Sequence, residues 1–125
     1  MIAFVSKNEA DYRTLREVAG PVSQSVVSCA DVQQARTAIR LHAPTIVVCE
    51  VRENGNWQQL LEEAQAAQCL MLVVSRHADE RLWAEVLNLG GFDVLSLPFE
   101  RDELSRVLSS ALRHSPRASV AAAVV

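Results

Sequence analysis

The sequence predicts an α/β fold of the (βα)5 type, a doubly wound parallel five-stranded sheet with helices on both faces. Five short apolar runs recur about every twenty to twenty-five residues along the 125-residue chain. Segments whose apolar residues have helical spacing separate these runs. Strands and helices that alternate in this way are typical of parallel sheets covered on both faces.

The apolar runs predict five strands and a first candidate site residue. The strands are Ile2–Val5, Ser25–Cys29, Thr45–Cys49, Leu70–Val74 and Asp93–Leu97. The third is β-branched and has no polar alternation, which suits the middle of the sheet. Glu50 follows it directly, and parallel sheets bind ligands beyond the carboxyl ends of their strands. Glu50 is therefore either a site residue or a solvated acid at a strand end.

Capping and terminating residues mark the helices between the strands. The predicted N-caps are Asn8, Asp31, Asn56 and Asp79, and Gln34 and Gln59 complete capping-box spacings with Asp31 and Asn56. The dipeptides Gly20-Pro21 and Gly90-Gly91 are predicted helix ends, and the last helix begins near Arg101. Trp57, at the start of the third helix, is predicted to cover the core because an indole buries a large area.

Composition excludes several functional classes. The net charge of −3 and the absence of a Lys/Arg block argue against nucleic-acid binding by this domain. No apolar run approaches the ~20 residues of a membrane span, and the N-terminus does not resemble a signal peptide, so we expect a cytoplasmic protein. Widely spaced cysteines (Cys29, Cys49, Cys69) and isolated histidines (His42, His77, His114) predict reduced thiols, exposed imidazoles and no metal or cofactor.

Residues 1–114 are predicted to form one domain, followed by a different kind of segment. From Ser115 to Val125 the residues are small, include one proline and lack amphipathic spacing, which is typical of a flexible tail or linker. The alternative is that Ser119–Val125 adds an edge strand or packs on a neighbour.

Over residues 1–114 the arrangement resembles the receiver domain of bacterial response regulators. The stretches that carry the resemblance are APTIVVCE, MLVVSRHADERLWAEVLNLGG and FDVLSLPFERDEL, which are similar to the family's third strand, its fourth strand and helix, and its fifth strand and helix. The resemblance implies a flavodoxin-like, CheY-like sheet with the strand order 2-1-3-4-5.

The resemblance also implies a degenerate phosphoacceptor site. Receivers use an acidic pair that holds magnesium, an aspartate nucleophile, a Ser/Thr and a lysine before a proline. In this chain those positions are occupied by Ser6 and Lys7, Glu50, Ser75 and Leu97, respectively. Magnesium needs carboxylate ligands, and a transferred phosphoryl group needs cations. We therefore expect a pseudo-receiver, a receiver-like domain without catalytic residues, metal or enzymatic activity. The Glu53-Asn54-Gly55 loop replaces the family's Met-Pro turn.

Two hypotheses follow for the residues near Glu50. Lys7 and Glu50 are expected at the ends of adjacent strands, where they could form an internal ion pair; alternatively, Lys7 points to solvent and Glu50 bonds to backbone amides. Ser75 is either a strand-end hydroxyl bonded to nearby backbone or a retained switch residue.

Function is expected to reside in protein contacts. Receivers bind partners through the fourth helix, fifth strand and fifth helix, and this face is predicted to include Arg81, Trp83, Asn88 and Arg101. Val94 occupies the position of the family's usual aromatic residue. The partner would be an output domain that follows in the chain, a separate protein or a second copy. The alternative function is a small-molecule sensor that uses the crevice above Glu50, Ser6 and Ser75.

Overall fold

A computed structural model describes residues 1–51 and 56–116 and contains a five-stranded parallel sheet with the order β2-β1-β3-β4-β5. The strands are β1 (Ile2–Val5), β2 (Val26–Cys29), β3 (Ile46–Glu50), β4 (Leu70–Ser75) and β5 (Asp93–Ser96). The helices are α1 (Glu9–Ala19), α2 (Val32–His42), α3 (Trp57–Ala66), α4 (Glu80–Asn88) and α5 (Arg101–His114), with a 3-10 turn at Gly20–Val22. The predicted fold class and strand order are confirmed. The Glu53-Asn54-Gly55 loop and residues 117–125 of the predicted tail lie outside the described residues.

The central strands are apolar on both faces because successive side chains point to opposite sides of a sheet. One set packs with α1 and α5 and consists of Ile2, Phe4, Ile46, Val48, Leu72 and Val74. The other packs with α2, α3 and α4 and consists of Ala3, Val5, Val47, Cys49, Met71 and Val73. The unbroken apolar run of β3 therefore supplies both layers of the core.

Three of the four predicted N-caps form the expected hydrogen bond. The side chains of Asn8, Asp31 and Asp79 accept the backbone N–H groups of Asp11, Gln34 and Leu82 at 2.9, 2.9 and 2.8 Å. Asn56 does precede α3, but within the described residues its side chain makes no capping bond, because its backbone is not extended (φ −97°, ψ 51°). Glu100 caps α5, which the sequence analysis missed.

Trp57 and the three cysteines lie in the hydrophobic core. Trp57 is 4% exposed and packs in the α2–α3 layer, which confirms its role as a cover. Cys29, Cys49 and Cys69 are buried. Helix α1 ends at Ala19 with Gly20 as its C-cap, as predicted; Gly20 has φ −54° and leads into the 3-10 turn, and Ser23 adopts the left-handed conformation. Within the described residues no helix is both long and apolar enough to span a membrane.

Among the five described α-helices, α4 buries the fewest side chains in the core. Val86 is its one fully buried side chain, while Trp83 is 51% and Leu89 46% exposed. The wide apolar face predicted for α4 is thus only partly buried. Its strand contacts are chiefly with β5, an edge strand of the sheet, so only a narrow stripe of the helix meets the core.

Candidate functional site at the strand ends

Ser6 and Glu50 meet at the carboxyl ends of β1 and β3. These strands pair in register, with Val5 opposite Cys49, so the next residues of each chain segment are neighbours. The Ser6 hydroxyl donates to Glu50 Oε1 at 2.5 Å, and its oxygen accepts the backbone N–H of Asn8 at 3.0 Å. Ser6 is buried, and its hydroxyl therefore fixes the Glu50 carboxylate against the end of β1.

Lys7 does not take the place expected for it. Its side chain is exposed, and the ion pairs between described residues do not include one between Lys7 and Glu50. The expected pair is wrong for a geometric reason. Ser6 is the register neighbour of Glu50, Lys7 lies one residue farther on, and a strongly hydrated ammonium group loses little by remaining in water.

Ser75 and Leu97 are buried, and neither reaches Glu50 through a hydrogen bond. The Ser75 hydroxyl oxygen accepts the backbone N–H of His77 at 3.0 Å, the local bond that a strand-end hydroxyl commonly makes. Leu97 is 6% exposed and belongs to the apolar layer beneath α1 and α5. Leu97 thus extends the hydrophobic core just beyond the end of β5.

An ionic contact that the sequence did not predict lies at the same edge. Arg76, directly after β4, donates through Nη2 to Asp11 Oδ2 at 2.6 Å. Asp11 is in the first turn of α1, and its side chain is 5% exposed, whereas that of Arg76 is 41% exposed. The contact joins the end of β4 to α1. One sequence signal could have indicated it, since Asp11 shares the i, i+4, i+8 stripe of Leu15 and Ala19, an unusual position for a solvated acid.

Burial has the largest effect on the pKa of Asp11 at this edge of the sheet. Burial raises the pKa of Asp11, the Arg76 guanidinium lowers it, and the nearby Glu50 carboxylate raises it further. The net direction is upward because desolvation outweighs the attraction of a half-exposed arginine. Asp11 and Glu50 are therefore close enough to repel each other, and each is held by a hydrogen-bond donor.

This donor set does not fit magnesium. Asp11 is engaged by Arg76, Glu50 accepts from Ser6, and the described residues contain no cluster of three or more His, Cys, Asp or Glu side chains that could hold a metal ion. Magnesium requires octahedral oxygen coordination that includes carboxylates. The edge is instead a hydrogen-bonded, charge-compensated structure.

The four residues predicted for the partner face are exposed, but they do not all lie at one groove. Arg81, Trp83 and Asn88 are exposed on α4. A groove of about 510 Å³ lies between α4 and β5 and is lined by Ala78, Asp79, Glu80, Trp83, Val94 and Ser96. Arg101 is also exposed, but its guanidinium forms an ion pair with Glu17 of α1, so it is directed away from the groove.

The strand order and the doubly covered sheet are those of a CheY-like receiver fold. No family model matches the chain. Its sequence is 36% identical over 81 residues to the transcriptional regulatory protein FixJ of Bradyrhizobium diazoefficiens, a match that covers 62% of this chain but only 40% of FixJ.

Solved receiver structures have the same fold. The signal receiver domain of a protein described as a LuxO repressor from Vibrio parahaemolyticus superimposes with a TM-score of 0.83 at 13% identity, covering 98% of this chain and 95% of that one. The beryllofluoride-activated NtrC4 receiver domain dimer gives a TM-score of 0.79 at 15% identity, covering 90% and 95%. The chain is thus similar in fold to receivers of two-component response regulators.

Proposed function

We propose that this domain is a pseudo-receiver, a signalling module that acts through protein contacts without being phosphorylated and without an enzymatic step of its own. The observation that carries the proposal is the Ser6–Glu50 hydrogen bond of 2.5 Å. By resemblance, Glu50 occupies the nucleophile position and Ser6 a metal-binding position. The two groups that should receive a phosphoryl group and hold its counter-ion instead bind each other.

Position 97 supports the same proposal. A phosphoryl group on a carboxylate needs cations that neutralise its charge. By resemblance, Leu97 offers a buried hydrocarbon where the family carries a lysine. Position 97 therefore supplies no cation to a phosphorylated form.

The proposed output is a partner bound at the α4–β5 groove. FixJ is a transcriptional regulatory protein and this chain matches only 40% of it, so we infer that an output domain or a separate cytoplasmic protein reads this module. The NtrC4 receiver is a dimer, and a second copy of this chain is the occupant of the α4–β5–α5 face that we propose first. Trp83 in the groove supplies the type of exposed aromatic residue that anchors interfaces.

Phosphorylation can be tested directly. The purified domain would be incubated with acetyl phosphate and MgCl₂ and analysed by intact mass, with an active receiver as the positive control. We expect no added phosphoryl group on this chain. A variant carrying Ser6→Asp, Lys7→Asp, Glu50→Asp and Leu97→Lys is the matched control, because it restores the residue types of the family's site. Covalent phosphate on the wild-type chain would contradict the proposal.

A small molecule in the crevice above Glu50, Ser6 and Ser75 is the competing hypothesis. A thermal-shift screen against nucleotides and metabolites distinguishes it from a protein-binding module. We expect no stabilising compound; a compound whose effect disappears in Glu50→Gln would favour the sensor.

A further inference from the structure

We propose that the Arg76 guanidinium is a built-in cation that compensates charge at this strand edge in place of a metal ion. Arg76 follows β4 and binds the Asp11 carboxylate on α1 at 2.6 Å. This role of Arg76 is separate from phosphorylation, because it concerns which contact stabilises the residues at the carboxyl ends of the strands.

The edge requires a cation because two carboxylates converge there. The Asp11 side chain is 5% exposed and is close enough to Glu50 for their charges to repel. An uncompensated buried carboxylate is costly, and a second one nearby adds to the cost. Arginine is suited to this role because it stays charged at any physiological pH and its planar donors match a carboxylate.

The Asp11–Arg76 pair differs from the other ion pairs of the described chain. Arg101–Glu17 joins two helices at the surface, with side chains 60% and 48% exposed. Arg36–Glu63 joins α2 and α3, with exposures of 22% and 38%. Among the ion pairs between residues of 1–51 and 56–116, only Asp11–Arg76 includes a carboxylate almost removed from water, and only this pair connects a strand end to a helix.

The position of Arg76 has a consequence for α4. Arg76 lies in the β4–α4 connection, four residues before Glu80, the first residue of α4. Its bond to Asp11 ties this connection to α1. The connection that leads into the helix presenting Trp83 is therefore tied to α1 by an internal charge.

A double-mutant cycle tests the pair. Urea unfolding would be measured at neutral pH in EDTA for the wild type, Arg76→Met, Asp11→Asn and the double variant. We expect a coupling of about tenfold in the unfolding equilibrium constant, because Arg76→Met leaves Asp11 buried and unpaired. The matched cycle of Arg101→Met and Glu17→Gln should give less than about threefold. A coupling at Arg76–Asp11 no larger than this control would overturn the proposal.

The effect of magnesium on stability tests whether Arg76 replaces a bound metal cation. The same unfolding curves would be repeated in millimolar MgCl₂ and in NaCl of equal ionic strength. We expect MgCl₂ to stabilise Arg76→Met but neither the wild type nor the double variant, since only Arg76→Met has an unpaired Asp11 carboxylate. If MgCl₂ did not change the stability of Arg76→Met, the cation role would be refuted even if the double-mutant cycle showed the coupling. If Arg76→Met did not fold, Arg76→Lys should fold and ignore magnesium, and a magnesium-dependent Arg76→Lys would refute the role instead. Phosphorylation of the wild type would overturn only the proposed function.

Discussion

Leu97 shows how one residue just beyond a strand end can belong to the hydrophobic core. Its side chain is 6% exposed and packs in the layer formed by β1, β3, β4, α1 and α5. A hydrocarbon there stabilises the fold by leaving water, whereas a lysine would have to keep its ammonium group solvated.

Leu97→Ala is therefore expected to lower the free energy of unfolding by about 2–4 kcal/mol, since it leaves a cavity in a packed layer. Urea denaturation of the purified domain measures the change. Leu41→Ala is the matched control, because Leu41 is 71% exposed and should change stability by less than about 0.5 kcal/mol. A Leu97→Ala variant as stable as this control would show that position 97 is not part of the core.

The candidate site was only partly predictable from the sequence. Glu50 and Ser6 could be placed at neighbouring strand ends because the apolar runs fix where β1 and β3 stop. Their mutual bond depends on strand register, which the runs alone do not determine, so the sequence is equally compatible with Lys7 as the partner of Glu50. The Asp11–Arg76 contact spans 65 residues of sequence, and each residue alone resembles an ordinary surface charge.

Among the elements, α5 is the helix whose start depends most clearly on one ionised residue. Glu100 accepts the backbone N–H groups of Glu103 at 2.7 Å and Asp102 at 3.0 Å. These two bonds favour the charged carboxylate and lower the pKa of Glu100. The sequence placed the start of α5 correctly but did not identify this cap, because Glu is a less common N-cap than Asp or Asn.

This cap predicts a pH dependence. A lowered pKa in the folded state means that Glu100 stabilises the protein above the ordinary glutamate pKa and that this contribution is lost as the pH falls through the lowered value. Glu100→Gln should therefore lower the melting temperature at neutral pH, and its difference from the wild type should shrink in acid. Melting curves across this range would show it. Glu62→Gln, in the exposed middle of α3, is the control, and an equal pH-dependent difference for both variants would contradict the assignment.

For the whole molecule, the main expectation concerns how copies associate. Trp83 is 51% exposed beside the α4–β5 groove, so Trp83→Ala should leave the fold intact and weaken a homodimer by about tenfold or more. Sedimentation equilibrium over a range of concentrations measures this, with Leu41→Ala as the control on α2. Equal dimerisation of Trp83→Ala and the wild type would refute the surface assignment, and a monomeric wild type would refute the homodimer.

Helix α4 contributes one fully buried residue, Val86, to the apolar layer that it shares with α2 and α3. Displacing a helix anchored in this way disturbs few core contacts, and the free energy required is a small part of that needed to unfold the domain. A ligand that binds Trp83 thus acts on α4, the helix of the described fold that is most easily displaced. The sheet and the other helices can stay in place while α4 shifts, so the free energy of binding can drive a displacement of α4 without unfolding the core.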